Sequence, residues 1–146
     1  MRQLKVCVLM GFLASLFGCA EGDDDSRLAP ALDSPFKVFF ADYAEDKILE
    51  SKDARAATKP DVLHSMDCVL HMPRNFIGLI DRNDVTLQFM VNDDETIHID
   101  VPVPSRTGSF VKTATLKECL DLVGNLGDTI DVAKIDGLTF KSWNPQ

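Results

Sequence analysis

The chain has no long apolar run, no clustered glycines and no paired-cysteine motif. Its longest uncharged apolar stretch, Val6–Phe17, covers twelve residues, short of the roughly 20 that a membrane-spanning helix needs. Its eight glycines are scattered, so no Gly-rich loop exists to cradle a phosphate. Without a Cys-x-x-Cys, dithiol redox chemistry is not indicated, and no serine lies in a Gly-x-Ser-x-Gly elbow. Basic side chains are also scarce, 15 against 23 acidic, for a formal charge of −8. Arg2 and Lys5 account for part of even that positive charge, and the chain after position 18 carries 13 basic and 23 acidic residues, a net −10. Such a surface repels phosphate backbones and anionic headgroups, which excludes nucleic-acid binding by counterion release. A partner chosen by charge would be a basic protein, although the same charge also serves solubility alone.

What is present begins with the amino terminus. Arg2 and Lys5 precede the apolar run Val6–Phe17, the arrangement of a signal peptide with a charged start and a short apolar centre. Leu16-Phe17-Gly18-Cys19 then resembles the lipobox of bacterial lipoproteins, with Leu at −3, Gly at −1 and Cys at +1; Phe17 at −2 departs from the small or β-branched residue usual there. The resemblance implies cleavage before Cys19, lipidation of Cys19 and a membrane anchor on the periplasmic side. Ala20 at +2 implies the outer membrane rather than the inner. A plain secretory peptide or an uncleaved anchor is the alternative. Residues 19–35 (CAEGDDDSRLAPALDSP) are rich in Asp, Ala and Pro and read as a flexible tether. Asp23, Asp24 and Asp25 read as a solvated charge run rather than a metal site.

The remainder, 36–146, has room for one domain, and 45% hydrophobic with 26% charged residues is an ordinary globular composition. Phe36, Val38 and Phe40 alternate as in a strand. Asp42–Thr58 (DYAEDKILESKDARAAT) lacks Gly and Pro and is rich in Ala, Glu and Lys, which predicts a helix ended by Pro60. Asp61–Met72 fits a helical or a strand period equally. Phe76–Ile80, Val85–Val91 and Thr96–Val101 are β-branched and aromatic runs parted by turn compositions, a three-stranded meander with Val85, Leu87, Phe89 and Val91 on one face and Thr86, Gln88 and Met90 on the other. Pro102–Ser109 reads as a loop, since its prolines remove ladder donors. Thr115 and Glu118 form a capping-box pattern ahead of Leu116, Cys119, Leu120, Val123 and Leu126 at helical spacing. Ile130–Ile135 and Leu138–Trp143 flank Asp136-Gly137, a hairpin signal. The expected fold is α+β, a small antiparallel sheet of about five or six strands with two helices. Cys7 leaves with the signal peptide and Cys19 carries lipid, so Cys68 and Cys119 are expected to form one disulfide in an oxidising compartment; two buried thiols are the alternative.

Candidates for chemistry are few. His64 and His71 are seven apart, with Asp67 between them, but lack a compact zinc motif. His98 and Asp100 share a strand face as acid–base partners do, yet no nucleophile accompanies them. The acidic turns 81–84 and 92–95 lack the glycine and terminal glutamate of a calcium loop. No metal, no cofactor and no enzymatic activity are therefore expected. The loop 102–109 combines a rigid Pro-Val-Pro entrance with Arg106 and Thr107, the form of a recognition loop, or else an inert crossover. Val85–Val103 (VTLQFMVNDDETIHIDVPV) is similar to the strand pair with a turn in some small bacterial immunity proteins, which implies a protein-blocking role and no particular residues. The expected function is a membrane-tethered periplasmic protein-binding lipoprotein, an inhibitor or immunity protein of an exported basic enzyme. Asp93, Asp94, Glu95, Arg106 and Thr107 would form its contact surface. A structural or assembly lipoprotein of an envelope complex is the alternative.

Overall fold

The computed structural model describes residues 34–144. The expected signal peptide, the expected lipidation site Cys19 and the expected tether up to residue 33 lie outside the described residues. Eight strands form one sheet: β1 Phe36–Asp42, β2 Lys47–Leu49, β3 Arg55–Ala57, β4 Phe76–Asp81, β5 Thr86–Val91, β6 Ile97–Val103, β7 Gly108–Ala114 and β8 Thr139–Ser142. Their order is β2-β1-β4-β5-β6-β7-β8, with β3 pairing the other half of the β1 edge, and every pairing is antiparallel. Among the described residues two helices, α1 Lys59–Val69 and α2 Leu116–Asn125, complete an α+β fold.

Alternation decides the faces. Phe36, Val38 and Phe40, Ile77 and Leu79, Leu87 and Phe89, and Ile97, Ile99 and Val101 are buried and join Val62, Met66 and Val69 of α1 and Cys119 and Val123 of α2 in one core. Both helices thus lie on the same side of the sheet. Each opens with a Thr-x-x-acid capping box: Thr58 with Asp61, and Thr115 with Glu118. Lys59 Nζ, at the start of α1, donates to the carbonyl of Leu126 at the end of α2.

The predicted meander and its two faces are present as β4–β6, and α2 begins at its expected cap. Four expectations are corrected. Asp42–Thr58 is not a helix: β1 runs through Asp42, residues 43–46 turn, and β2, a 3-10 turn and β3 follow. Burial outweighs propensity here, because Ala57 is buried against β1 in a strand that a helix could not have provided. Pro60 opens α1 rather than ending a helix; in the first turn its missing N–H removes no helical bond. Residues 108–114 form β7, and Pro102 lies beyond the last β5–β6 pair, where the strand is bonded on one side only. The turn at Asp136-Gly137 is real, with Gly137 at φ 79°, but 130–135 forms no strand and β8 pairs with β7.

The expected disulfide between Cys68 and Cys119 is likewise absent, and both cysteines are buried. Cys119 lies inside the main core on α2. The Cys68 sulfur instead lies along its own helix, 3.8 Å from Nε2 of His64 one turn earlier.

Candidate protein-binding face

With both helices on one side, the second side of the sheet is covered by neither. The register places its side chains in rows. Ile48, Ala41, Phe76, Met90, His98 and Thr113 are successive cross-strand neighbours from β2 to β7. One row further along, Phe39, Gly78, Gln88, Asp100 and Val111 repeat the arrangement. The Phe39 ring lies on Gly78: a Cβ at that glycine would come within 2.0 Å of the ring. Phe39 also meets Phe76 edge-to-face at 6.2 Å.

Five large apolar residues of the described chain are conspicuously exposed, and four of them lie at one end of the sheet. Ile48 is 62% exposed, Met90 41%, Tyr43 59% and Met72 46%. Two are in the first row, and two sit where β1 ends and where the chain enters β4. Single exposed apolar side chains need no explanation, whereas several grouped at one end of a sheet are a candidate interaction surface, here with the buried Ala41 lying between Ile48 and Phe76.

This end is built by a buried polar node. Asp42, the last residue of β1, accepts hydrogen bonds from the backbone N–H groups of Ala44 and Glu45 and from Asn75 Nδ2. Asn75 also donates to the carbonyl of Val69, and its own Oδ1 accepts from the N–H of Tyr43. The node therefore fixes the 43–46 turn, the end of α1 and the entrance of β4 to one another. An equivalent at the opposite end is Asp81, whose Oδ1 accepts from Asn83 and Val85 and whose Oδ2 accepts from the N–H of Ile130.

Acidic side chains gather at the same end as the exposed apolar group. Glu45 and Asp46 lie in the β1–β2 turn and Asp93, Asp94 and Glu95 in the β5–β6 turn, all exposed. Basic side chains there include Lys47, 3.8 Å from Glu45, and Arg74. The Thr96 hydroxyl and then its backbone N–H donate to Asp94 and hold its carboxyl below the usual carboxylate value, so it is charged at neutral pH.

The five residues expected to form one contact surface are not brought together. Asp93, Asp94 and Glu95 precede β6, whereas Arg106 and Thr107 follow it, and seven strand residues, ~20 Å at about 3.3 Å each, separate the two groups. Arg106 is also turned away from this face: its guanidinium stacks 4.0 Å from the Phe140 ring, which meets Phe110 edge-to-face at 5.4 Å. Thr107, at φ 48°, uses its carbonyl to accept the N–H of Trp143. Tyr43, Ile48 and Met72 escaped the sequence reading because a helix was predicted through the first two and nothing marked the third. Met90 carried a visible signal, an apolar residue on the polar face of the meander.

Other groups offer less. His98 and Asp100 share the second face as expected, and Asp100 Oδ1 is buried there without a hydrogen-bond partner. A 410 Å³ cleft beside α2, lined by Lys112, Glu118, Asp121, Leu126, Lys134 and Ile135, has its cations already engaged. Lys112 donates to the Asp136 carbonyl and Lys134 pairs with Asp131. Among the described residues no group of three or more His, Cys, Asp or Glu is placed to hold a metal ion, and no helix is long and apolar enough to cross a membrane. Comparison with protein-family models, with curated proteins and with solved structures returned no match.

Proposed function

We propose that the chain is a membrane-tethered periplasmic protein-binding lipoprotein, and that it acts as an inhibitor or immunity protein of an exported basic enzyme. The anchoring half of this reading is supported by Arg2, Lys5, the apolar run Val6–Phe17 and the lipobox-like Leu16-Phe17-Gly18-Cys19. The binding half is carried by one observation: exposed Tyr43, Ile48, Met72 and Met90 share an end of the sheet with Glu45, Asp46, Asp93, Asp94 and Glu95. An apolar centre with a charged rim is the composition of a protein interface, and a carboxylate rim steers and orients a basic partner. Blocking an enzyme by covering its basic cleft requires no catalytic group on the blocker.

The test uses the full chain, exported with a carboxyl-terminal tag, extracted in mild detergent and used as bait against secreted and envelope fractions. Stoichiometric recovery of one soluble hydrolytic enzyme whose activity the bait abolishes supports the inhibitor reading. Recovery of membrane-complex subunits with no enzyme silenced replaces it with the assembly reading. In parallel, Cys19→Ala is expected to abolish fatty-acid labelling and membrane association; unchanged labelling overturns the anchor.

A further inference from the structure

We infer that the row Ile48–Ala41–Phe76–Met90 receives an apolar side chain from a basic protein segment, while the acidic turns 43–46 and 92–95 receive that segment's flanking Lys or Arg. This rests on the reading above that the partner is a basic protein, and adds where it docks and by what chemistry. The row is continuous because each member is the cross-strand partner of the next: Ile48 opposite Ala41, Ala41 opposite Phe76, Phe76 opposite Met90. It is bounded, since beyond Met90 the row turns polar at His98 and Thr113. Phe76 is half-buried beside the exposed Met90, and the small, buried Ala41 parts it from the exposed Ile48, so the strip offers an aromatic edge with one flexible apolar side chain next to it and a second apolar side chain beyond a shallow step.

Charge selects the occupant. Glu45 and Asp46 end one side of the strip and Asp93, Asp94 and Glu95 the other, with Lys47 and Arg74 beside them. A second copy of this chain, at net −10 after position 18, would bring the same acids with it, and an anionic membrane surface would be repelled. A segment with Lys or Arg on both sides of one large apolar residue matches both features at once, the apolar group acting as the anchor and the cations setting the orientation.

The probe is a short peptide with one central Trp and two Lys on each side, labelled for fluorescence anisotropy and titrated against the full chain in zwitterionic-lipid nanodiscs, with empty nanodiscs as blank. Binding is expected, and is expected to weaken about tenfold or more when Trp is replaced by Ser or all Lys by Glu. Ile48→Glu and Met90→Glu discriminate sharply. Each adds a negative charge that would tighten a purely electrostatic contact, yet the inference expects binding to fall about tenfold or more. Both side chains are exposed, and unchanged thermal unfolding would establish that the variants fold. Thr139→Glu, at the far edge of the sheet, should leave binding unchanged. Absence of binding, equal binding of the Ser-substituted peptide, or binding unaffected by Ile48→Glu and Met90→Glu overturns the inference. Should the bait experiment yield a silenced enzyme that the Ile48→Glu, Met90→Glu chain silences equally well, the docking strip fails while the inhibitor reading stands. Should the peptide bind through the strip while no enzyme is recovered, the inhibitor reading fails alone.

Discussion

Asn75 Nδ2 donates to Asp42 Oδ1 at 2.9 Å across 33 positions of chain, and both residues are buried. Three segments that carry the exposed apolar group depend on this pair. Asp42→Ala leaves the Asn75 amide and two turn N–H groups without their acceptor, and removal of one partner from a buried charged hydrogen bond costs about 2–3 kcal/mol. Urea unfolding of Asp42→Ala should show a loss of that size, and the Asp42→Ala, Asn75→Ala double variant should lose less than the sum of the singles. Additive losses would mean that the two act independently.

Gly78 is required by the ring above it. Gly78→Ala places a methyl inside the Phe39 ring position and should destabilise by about 1–3 kcal/mol. In a Phe39→Ala background the same change should cost far less, since the obstacle has gone. Equal costs in both backgrounds would show that the glycine serves backbone conformation instead.

Cys119 is buried in the core, and desolvation pushes its thiol up to about 12. The thiolate, the reactive form, is then negligible at pH 8. Native protein should leave Cys119 unmodified by iodoacetamide at that pH, and urea should expose it. A non-reducing digest should contain no peptide linking Cys68 to Cys119; recovery of one would overturn the unlinked arrangement.

The Thr115 cap predicts a pH dependence. The backbone N–H of Thr115, and then its hydroxyl, donate to the Glu118 carboxylate and hold its carboxyl below the ordinary value of 4.5. The fold prefers the ionised form, so the stabilisation is complete above 4.5 and is lost as pH falls through the lowered folded value. Melting curves of Glu118→Gln and the unmodified chain should therefore separate at neutral pH and converge in acid. Thr115→Ala should cost about 1 kcal/mol by loss of the cap itself.

Asp100 Oδ1, buried without a donor, should be a liability that an apolar residue relieves. Asp100→Val, beside Val111 across the β6–β7 pair, is expected to raise stability by about 1 kcal/mol. A fall in stability would mean that the carboxylate holds a compensating interaction in solution.

Where burial repeats every second residue the fold was legible in the sequence. Val85 to Val91 announced both the strand and its faces, and Thr115 with Glu118 announced the start of α2. The segment 42–58 was not legible, because its Ala, Glu and Lys content describes an isolated peptide, while its two three-residue strands exist only along the β1 edge. Thr58 and Asp61 repeat the signature of Thr115 and Glu118, and Pro60 fits the first turn of a helix; reading the proline as a stop hid both. The hairpin expected across Asp136-Gly137 failed because a turn specifies a reversal, not the strand that pairs after it. The docking strip was half visible through Met90, whereas its other half depends on a register that no local pattern encodes.

The strand order has one further consequence, for the chain end. From β4 to β7 each strand bonds to its successor, and β8 then returns to cover the outer side of β7. Four residues, Thr139–Ser142, thus cover the first four of the seven residues of β7, Gly108–Val111, along that border. A chain ending before Thr139 would retain its helices and core yet present unsatisfied amides and carbonyls to any extended polypeptide nearby, so the final residues act as a seal against self-association.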